Sequence, residues 1–230
     1  MVNIQAVEIN TQVNGTRLSG FFARPERPGP GVLVLHAWWG LNPFFKGLCQ
    51  RLGEQGFLAF APDLVGGQVA TTVAEAQKLA DGRDEMATVK PAALAAVAWL
   101  RQQVAAQGDA SLVKRGLSAV GFSMGGTWAI LLSKLAAQDV SAVVLFYEAY
   151  SVDFTGMRAR FQGHYGDLDE RVERKWIDSL EADLQAAGRP VEFYHYPQAG
   201  HWFFESDRHD AYRPDDAALA WQRMLEFLKA

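Results

Sequence analysis

A G-x-S-x-G motif centred on Ser123 carries the strongest chemical signal in the chain, within the segment LSAVGFSMGG at residues 117–126. An apolar run precedes the motif and a helical pattern follows it. In this strand–turn–helix context such a serine acts as a nucleophile. Gly121 and Gly125 leave space in a sharp turn where side chains would collide. The hydroxyl would lie at a helix N-terminus, whose free N–H groups favour negative charge. We predict that Ser123 is a nucleophile; the plainer alternative is a glycine-rich turn with a serine N-cap.

A serine hydroxyl needs a base that takes its proton. In folds with this turn the base is a histidine that follows the last strand. His201 is in a loop directly after the predicted strand Val191–Tyr196. The other histidines lie upstream, in or at the ends of strands, or in a charged segment: His36, His164, His195 and His209. His201 is therefore the predicted base.

The remaining partner is an acid that orients the histidine, and it is expected after the penultimate strand. The sequence offers two candidates there, Asp167 and Asp169. Asp169 stands at the start of a predicted helix and could instead be a helix N-cap. Asp167 could be a turn former. Spacing alone leaves the choice open.

An oxyanion is stabilised by backbone N–H groups, one directly after the nucleophile and one from the loop after an earlier strand. Met124 supplies the first of these groups, and the loop His36–Gly40 is expected to supply the second. That loop contains Trp38 and Trp39. These two tryptophans could be core residues or could line an apolar pocket for a substrate.

Strands alternate with helices along the chain, which predicts an α/β fold with a mostly parallel central sheet and helices on both faces. Short apolar runs predict buried strands at Val32–Leu35, Leu58–Ala61, Leu117–Phe122 and Val140–Phe146. Further strands are predicted at Arg160–Tyr165 and Val191–Tyr196, and an antiparallel edge at Ile4–Val13 and Arg17–Ala23. Helical patterns cover Phe44–Gln55, Val73–Leu79, Pro91–Val104, the segment after Ser123 through Leu135, Glu170–Ala187 and Tyr212–Leu228.

Composition narrows the class of protein. The 230 residues suit one domain, and the 49% hydrophobic and 21% charged content is that of a globular protein. A net charge of -4 does not suggest a nucleic-acid partner. No apolar run is long enough for a membrane span. The single cysteine, Cys49, and a start without signal-peptide features lead us to expect a cytoplasmic protein.

Taken together, several motifs resemble the dienelactone hydrolase family of α/β-hydrolases over nearly the whole chain. The matching segments are His36–Asn42, Ala61–Leu64, Gly121–Gly126, Gly166–Asp169 and Ala199–His201. The resemblance implies an α/β-hydrolase fold in one domain over residues 1–230, with no separate cap domain and no cofactor. It favours Asp169 over Asp167, because the family places its acid three residues after a glycine. It also assigns the second oxyanion N–H to Trp38.

The chain departs from the family pattern at the nucleophile. The best-known members carry a cysteine where this chain has Ser123, and a glutamate where it has Ala37. A serine paired with a histidine needs only general-base help, so we expect ordinary serine-hydrolase chemistry. Glu148, just past a strand end, could occupy the region of that family glutamate, but the interpretation as a solvated loop carboxylate is favoured.

A further departure concerns substrate charge. Family members bind a substrate carboxylate through arginines, whereas this chain has Glu205 at one expected arginine position. A fixed acid there would repel an anionic substrate. Arg83 and Arg208 are nearby in sequence and could compensate.

These features predict a serine hydrolase that cleaves a small carboxylic ester or lactone through an acyl-enzyme. The expected contacts of a neutral, apolar substrate are Trp38, Trp39, Phe203 and Phe204. A thioesterase or another acyl hydrolase could use the same residues, and a non-catalytic binding protein could use the same fold. A metal site at His201, Asp207, His209 and Asp210 matches no familiar zinc spacing. A monomer or a small homo-oligomer is expected.

Overall fold

A computed structural model describes residues 3–230. Within them, eight strands form one sheet in the order β1-β2-β4-β3-β5-β6-β7-β8. The strands are β1 (Ile4–Val13), β2 (Thr16–Pro25), β3 (Gly31–Leu35), β4 (Leu58–Pro62), β5 (Leu117–Phe122), β6 (Val140–Phe146), β7 (Arg160–Gly166) and β8 (Val191–Tyr196). β3 to β8 pair in parallel, whereas β1 and β2 pair antiparallel at one edge. The predicted α/β fold, with its mostly parallel sheet and antiparallel edge, is confirmed.

Helices cover both faces of the sheet. They are α1 (Pro43–Glu54), α2 (Val73–Asp81), α3 (Glu85–Ala105), α4 (Ala110–Arg115), α5 (Met124–Leu135), α6 (Arg174–Ala186) and α7 (Pro214–Lys229). α1 and α7 pack on one face, and α3, α5 and α6 on the other. The buried side chains of β3 alternate between the two faces, as the two-residue period of a strand requires. Because these strands are parallel, the carboxyl ends of β3, β5, β6 and β7 meet at one edge of the sheet.

α4 was not predicted from the sequence, and two other helices begin more than one turn or a full turn away from their predicted starts. α3 begins at Glu85 rather than Pro91, because the Asp84 side chain caps it by accepting from the N–H of Ala87 at 3.0 Å. α6 begins at Arg174 rather than Glu170. The interpretation of Asp169 as the N-cap of that helix is therefore wrong.

Candidate active site

The turn from β5 to α5 places Ser123 in a strained backbone conformation with φ of 50°. Such a positive φ is uncommon outside glycine. Neighbouring backbone fixes it, since the N–H of Ser123 donates to the carbonyl of Phe146 at 3.0 Å. A Cβ at Gly121 would collide with the carbonyl oxygen of Gly125, and one at Gly125 with that of Leu35. Both glycines of the motif are therefore required by close backbone approach.

Two hydrogen bonds join Ser123, His201 and Asp169. The His201 Nε2 lies 3.0 Å from the Ser123 Oγ, and its Nδ1 lies 2.8 Å from the Asp169 Oδ2. The other Asp169 oxygen accepts from the N–H groups of Arg171 at 2.8 Å and Val172 at 3.0 Å. The Asp169 side chain is 1% exposed. This places a fixed carboxylate, an imidazole and a hydroxyl in line.

Asp167 has different surroundings. Its side chain is 38% exposed and lies 3.3 Å from the Nδ1 of His195, on β8. Of the two candidate acids, Asp169 is the one that the structure brings against His201.

The backbone N–H groups predicted to bind an oxyanion are those of Met124 and Trp38. Within residues 3–230, the N–H groups of Met124 and Trp38 donate to no other protein group. Met124 is the first residue of α5, and Trp38 lies in the loop after β3. The close approach of Gly125 to the carbonyl of Leu35 holds these two segments together.

Ser123 and His201 open into a cavity of about 210 Å³. Half of its other lining residues are aromatic, and one residue of each charge is among the rest: Trp38, Tyr147, Glu148, Ala149, Arg171, Val172, Trp176 and Trp202. The Arg171 guanidinium stacks on the ring of Trp38 at 5.0 Å and on that of Trp202 at 4.6 Å. Arg171 thus links the loops that carry Trp38, Asp169 and His201.

Three of the predicted substrate contacts do not reach this cavity. Trp39, Phe203 and Phe204 are buried in the core, on the face of the sheet that α1 and α7 cover. Phe204 packs on Phe146 at 4.5 Å and Phe203 on Tyr196 at 4.8 Å. Their prediction as substrate contacts is wrong, because adjacent aromatic residues in an irregular loop give no sign of which side faces the cavity. Trp202, between His201 and Phe203, is the residue of this segment that lines the cavity.

Glu148 is not a solvated loop carboxylate. It lines the cavity, its Oε2 accepts from the Thr127 hydroxyl at 3.0 Å, and its Oε1 accepts from the N–H of Ala149 at 2.9 Å. Burial raises the pKa of Glu148 to about 7. The position of Glu148 just past the end of β6 was the signal for a site residue, since ligand sites lie beyond the carboxyl ends of parallel strands.

Glu205 does not face a substrate. It is fully buried, and the Tyr147 hydroxyl donates to its Oε1 at 2.6 Å. Burial raises the pKa of Glu205 to about 8. The Tyr147 ring in turn lies 4.8 Å from the ring of His201. Glu205 therefore supports the loop behind the histidine, and the expected repulsion of an anionic substrate is not supported.

The two arginines considered as replacements also lie outside the cavity. Arg208 stacks on Trp39 at 3.9 Å and pairs with Asp207 at 3.0 Å. Arg83 donates to the sulfur of Met124 at 3.0 Å. The cation that lines the cavity is Arg171, which sequence reasoning missed because it lies in a polar stretch after Asp169 that looked helical.

Residues 3–230 contain no group of three or more His, Cys, Asp or Glu side chains arranged to hold a metal ion. The metal site considered at His201, Asp207, His209 and Asp210 is therefore not supported. No helix in residues 3–230 is long and apolar enough to cross a membrane.

Comparison with known proteins identifies the family of this chain. The family model described as "Dienelactone hydrolase family" matches residues 18–230. A relative from Bradyrhizobium sp, named "Probable 2-oxo-3-(5-oxofuran-2-ylidene)propanoate lactonase", is 30% identical and covers 97% of this chain and 92% of its own length. A relative from Aquifex aeolicus, named "Putative carboxymethylenebutenolidase", is 27% identical over 96% of each chain.

A solved structure gives the same result. A "Putative Dienelactone Hydrolase" from Klebsiella pneumoniae superposes with a TM-score of 0.82 at 26% identity, covering 99% of each chain. The match of the family model to nearly the whole chain, together with the shared fold, shows that this chain belongs to the dienelactone hydrolase family and is a hydrolase of the α/β-hydrolase fold.

Proposed function

We propose that this chain hydrolyses a small carboxylic ester or lactone with Ser123 as the nucleophile and through an acyl-enzyme. The observation that supports this proposal most directly is the hydrogen-bonded series from the Ser123 Oγ through His201 to Asp169. A hydroxyl, an imidazole and a buried carboxylate in this order are the groups that acyl transfer needs.

In the first half-reaction, the Ser123 Oγ attacks the carbonyl carbon while the His201 Nε2 takes the hydroxyl proton. Asp169 accepts from the Nδ1–H, which leaves Nε2 as the basic nitrogen and stabilises the imidazolium. The N–H groups of Met124 and Trp38 bind the oxyanion. As the carbon–oxygen bond to the alcohol breaks, the imidazolium returns the proton to the departing oxygen, and the acyl group stays on Ser123.

In the second half-reaction, water takes the place of the alcohol. The water oxygen attacks the acyl carbon while His201 removes a proton from the water. His201 then returns the proton to the Ser123 oxygen as the acyl–oxygen bond breaks. With a lactone the departing alcohol stays covalently attached to the acyl chain, so one hydroxy acid is released. The names of the Bradyrhizobium and Aquifex relatives, a lactonase and a butenolidase, support including lactones.

The test is hydrolysis of short-chain nitrophenyl esters by the wild-type chain, Ser123→Ala, His201→Ala and the double variant. Each single substitution should lower kcat by about 10³-fold or more, and the double variant should lose little beyond that, because these residues act as a unit. Losses that multiply in the double variant, or activity retained in Ser123→Ala, would contradict the proposal.

A further inference from the structure

Glu148 occupies a position that the proposed mechanism does not use. The chain leaves β6 through Tyr147, which has a φ of 47°. This strained residue directs the chain toward the first turn of α5. There Glu148 packs so closely that a Cβ at Gly126 would come 2.5 Å from the Glu148 Cβ. The absence of a side chain at Gly126 thus leaves the space that Glu148 occupies.

The same turn of α5 holds Ser123. The Ser123 carbonyl accepts from the N–H groups of Gly126 at 2.6 Å and Thr127 at 3.4 Å. Gly126 is the residue on which Glu148 packs, and the Thr127 hydroxyl donates to its Oε2. Glu148 is therefore fixed to the helical turn that carries the nucleophile, and both residues line one cavity.

Two charged side chains outside the Ser123–His201–Asp169 series line this cavity. An acceptor on a substrate can meet the guanidinium of Arg171. Among the lining residues in this part of the chain, Glu148 carries the one carboxyl group outside the Ser123–His201–Asp169 series. A carboxylate has about four acceptor sites. Thr127 and Ala149 occupy two of them.

Glu148 also lacks an ion pair. Within residues 3–230 it makes no salt bridge, and Arg171 is stacked on two indole rings instead. A mostly buried carboxyl is costly unless its acceptor sites find partners, and Thr127 and Ala149 fill only some of those of Glu148. A donor group on a bound substrate would provide a further partner.

We propose that Glu148 is a specificity-determining residue that binds a hydrogen-bond donor, a hydroxyl or an ammonium group, carried by the ester or lactone. This rests on the proposed function, because it places the donor beside the carbonyl that Ser123 attacks. A hydrogen bond to a charged group changes affinity about 10-fold or more, so the preference for donor-bearing substrates is expected at that size.

Two pairs of esters of matched shape test the proposal. Nitrophenyl beta-hydroxybutyrate is compared with nitrophenyl isovalerate, in which a methyl group replaces the hydroxyl. 2-(Dimethylamino)ethyl butyrate, whose protonated nitrogen carries an N–H, is compared with 3-methylbutyl butyrate, in which an uncharged C–H takes the place of that group. The assays are run above pH 7, because burial raises the pKa of Glu148 to about 7 and the carboxylate form is required. The measured quantity is the ratio of kcat/KM within each pair.

For the wild-type chain we expect a ratio of about 10 or more in at least one pair. The pair that shows it tells whether the donor is a neutral acyl-side hydroxyl or a cation on the alcohol side. Glu148→Gln should reduce that ratio several-fold, because a neutral amide accepts a weaker hydrogen bond than a carboxylate. Glu173→Gln, the same change at an exposed residue outside the cavity, should leave it as in the wild type. A ratio near one in both pairs, or one that Glu148→Gln does not change, overturns the proposal.

A binding measurement separates this proposal from the proposed function. The same ester pairs are titrated into Ser123→Ala and into Ser123→Ala with Glu148→Gln, followed by fluorescence of the cavity tryptophans. Preferential binding of the donor-bearing ester that requires Glu148 supports the inference even if no ester is hydrolysed. Equal binding of both members of each pair overturns it, even if Ser123-dependent hydrolysis is observed.

Discussion

Two aspartates only two positions apart, Asp167 and Asp169, show how far single residues could be predicted. Spacing left both open, and the resemblance to a family favoured the second. In the structure, Asp169 accepts from the Nδ1 of His201, whereas Asp167 lies beside His195. The reason is local. The Asp169 carboxylate accepts from the N–H groups of Arg171 and Val172, which lie in an irregular loop because α6 begins only at Arg174. Sequence patterns give the candidates, but this loop geometry chooses between them.

At this scale we predict that Asp169→Asn lowers kcat about 10⁴-fold, because the amide favours the wrong imidazole tautomer. Asp167→Asn, the matched control, should change kcat less than about threefold, because its side chain is largely solvated. Ester hydrolysis by the two variants, with circular dichroism to verify folding, makes the comparison. The reverse order of the two losses would show that the acid has been misassigned.

At the scale of elements, backbone strain is concentrated where loops leave the sheet. Of the four non-glycine residues with positive φ in residues 3–230, three line the cavity, namely Ser123, Tyr147 and Trp202. Strain of this kind persists only where the surrounding structure imposes it. The strands that impose it were predictable, since the bounds of β1, β5, β6 and β8 match the predicted runs. The sequence could not predict which side loop residues such as Phe203 and Trp202 face, because an irregular loop has no periodicity.

Two helical glycines test how closely these elements must approach. A Cβ at Gly125 would collide with the backbone of Leu35, whereas one at Gly47, in α1, would meet open space. We predict that Gly125→Ala lowers the free energy of unfolding by about 2–3 kcal/mol and impairs esterase activity further, because the loop that carries Trp38 must move. Gly47→Ala should stabilise by about 0.5–1 kcal/mol. Chemical denaturation measures both, and equal effects of the two substitutions would contradict the packing described here.

At the scale of the whole molecule, four buried titratable groups contribute to how stability depends on pH. Burial lowers the pKa of His36 to about 4 and that of His164 to about 3. It raises the pKa of Glu148 to about 7 and that of Glu205 to about 8. The folded chain thus prefers neutral forms of all four. Burial is the common cause, and the sequence analysis predicted it neither for the strand residue His164 nor for the loop residue Glu205.

The sign of each contribution follows from proton linkage. Below pH 6.5 the unfolded histidines bind protons that the folded ones reject, so the free energy of unfolding falls as pH falls. Above pH 4.5 the unfolded glutamates release protons that the folded ones keep, so it falls as pH rises toward 8. From these four groups we predict a maximum between pH 4.5 and 6.5, where the two effects offset each other.

Urea denaturation across this pH range measures the curve. Glu205→Gln should flatten the fall above pH 6.5, because a neutral amide still accepts from the Tyr147 hydroxyl and has no proton to release. Glu173→Gln, at an exposed position, should leave the curve unchanged. A wild-type curve that rises steadily from pH 6.5 to 8 would contradict the assignment of Glu205 as a buried neutral acid.

The central claim, that Ser123 carries the acyl group during hydrolysis, is tested most directly by trapping the intermediate. The wild-type chain is mixed with a short-chain nitrophenyl ester, quenched in acid at early times, and analysed by intact and peptide mass spectrometry. We predict an adduct of the mass of the acyl group on the peptide that contains Ser123, lost with time and not formed by Ser123→Ala. Turnover of the ester with no adduct at any time, or an adduct that forms equally in Ser123→Ala, would contradict the claim.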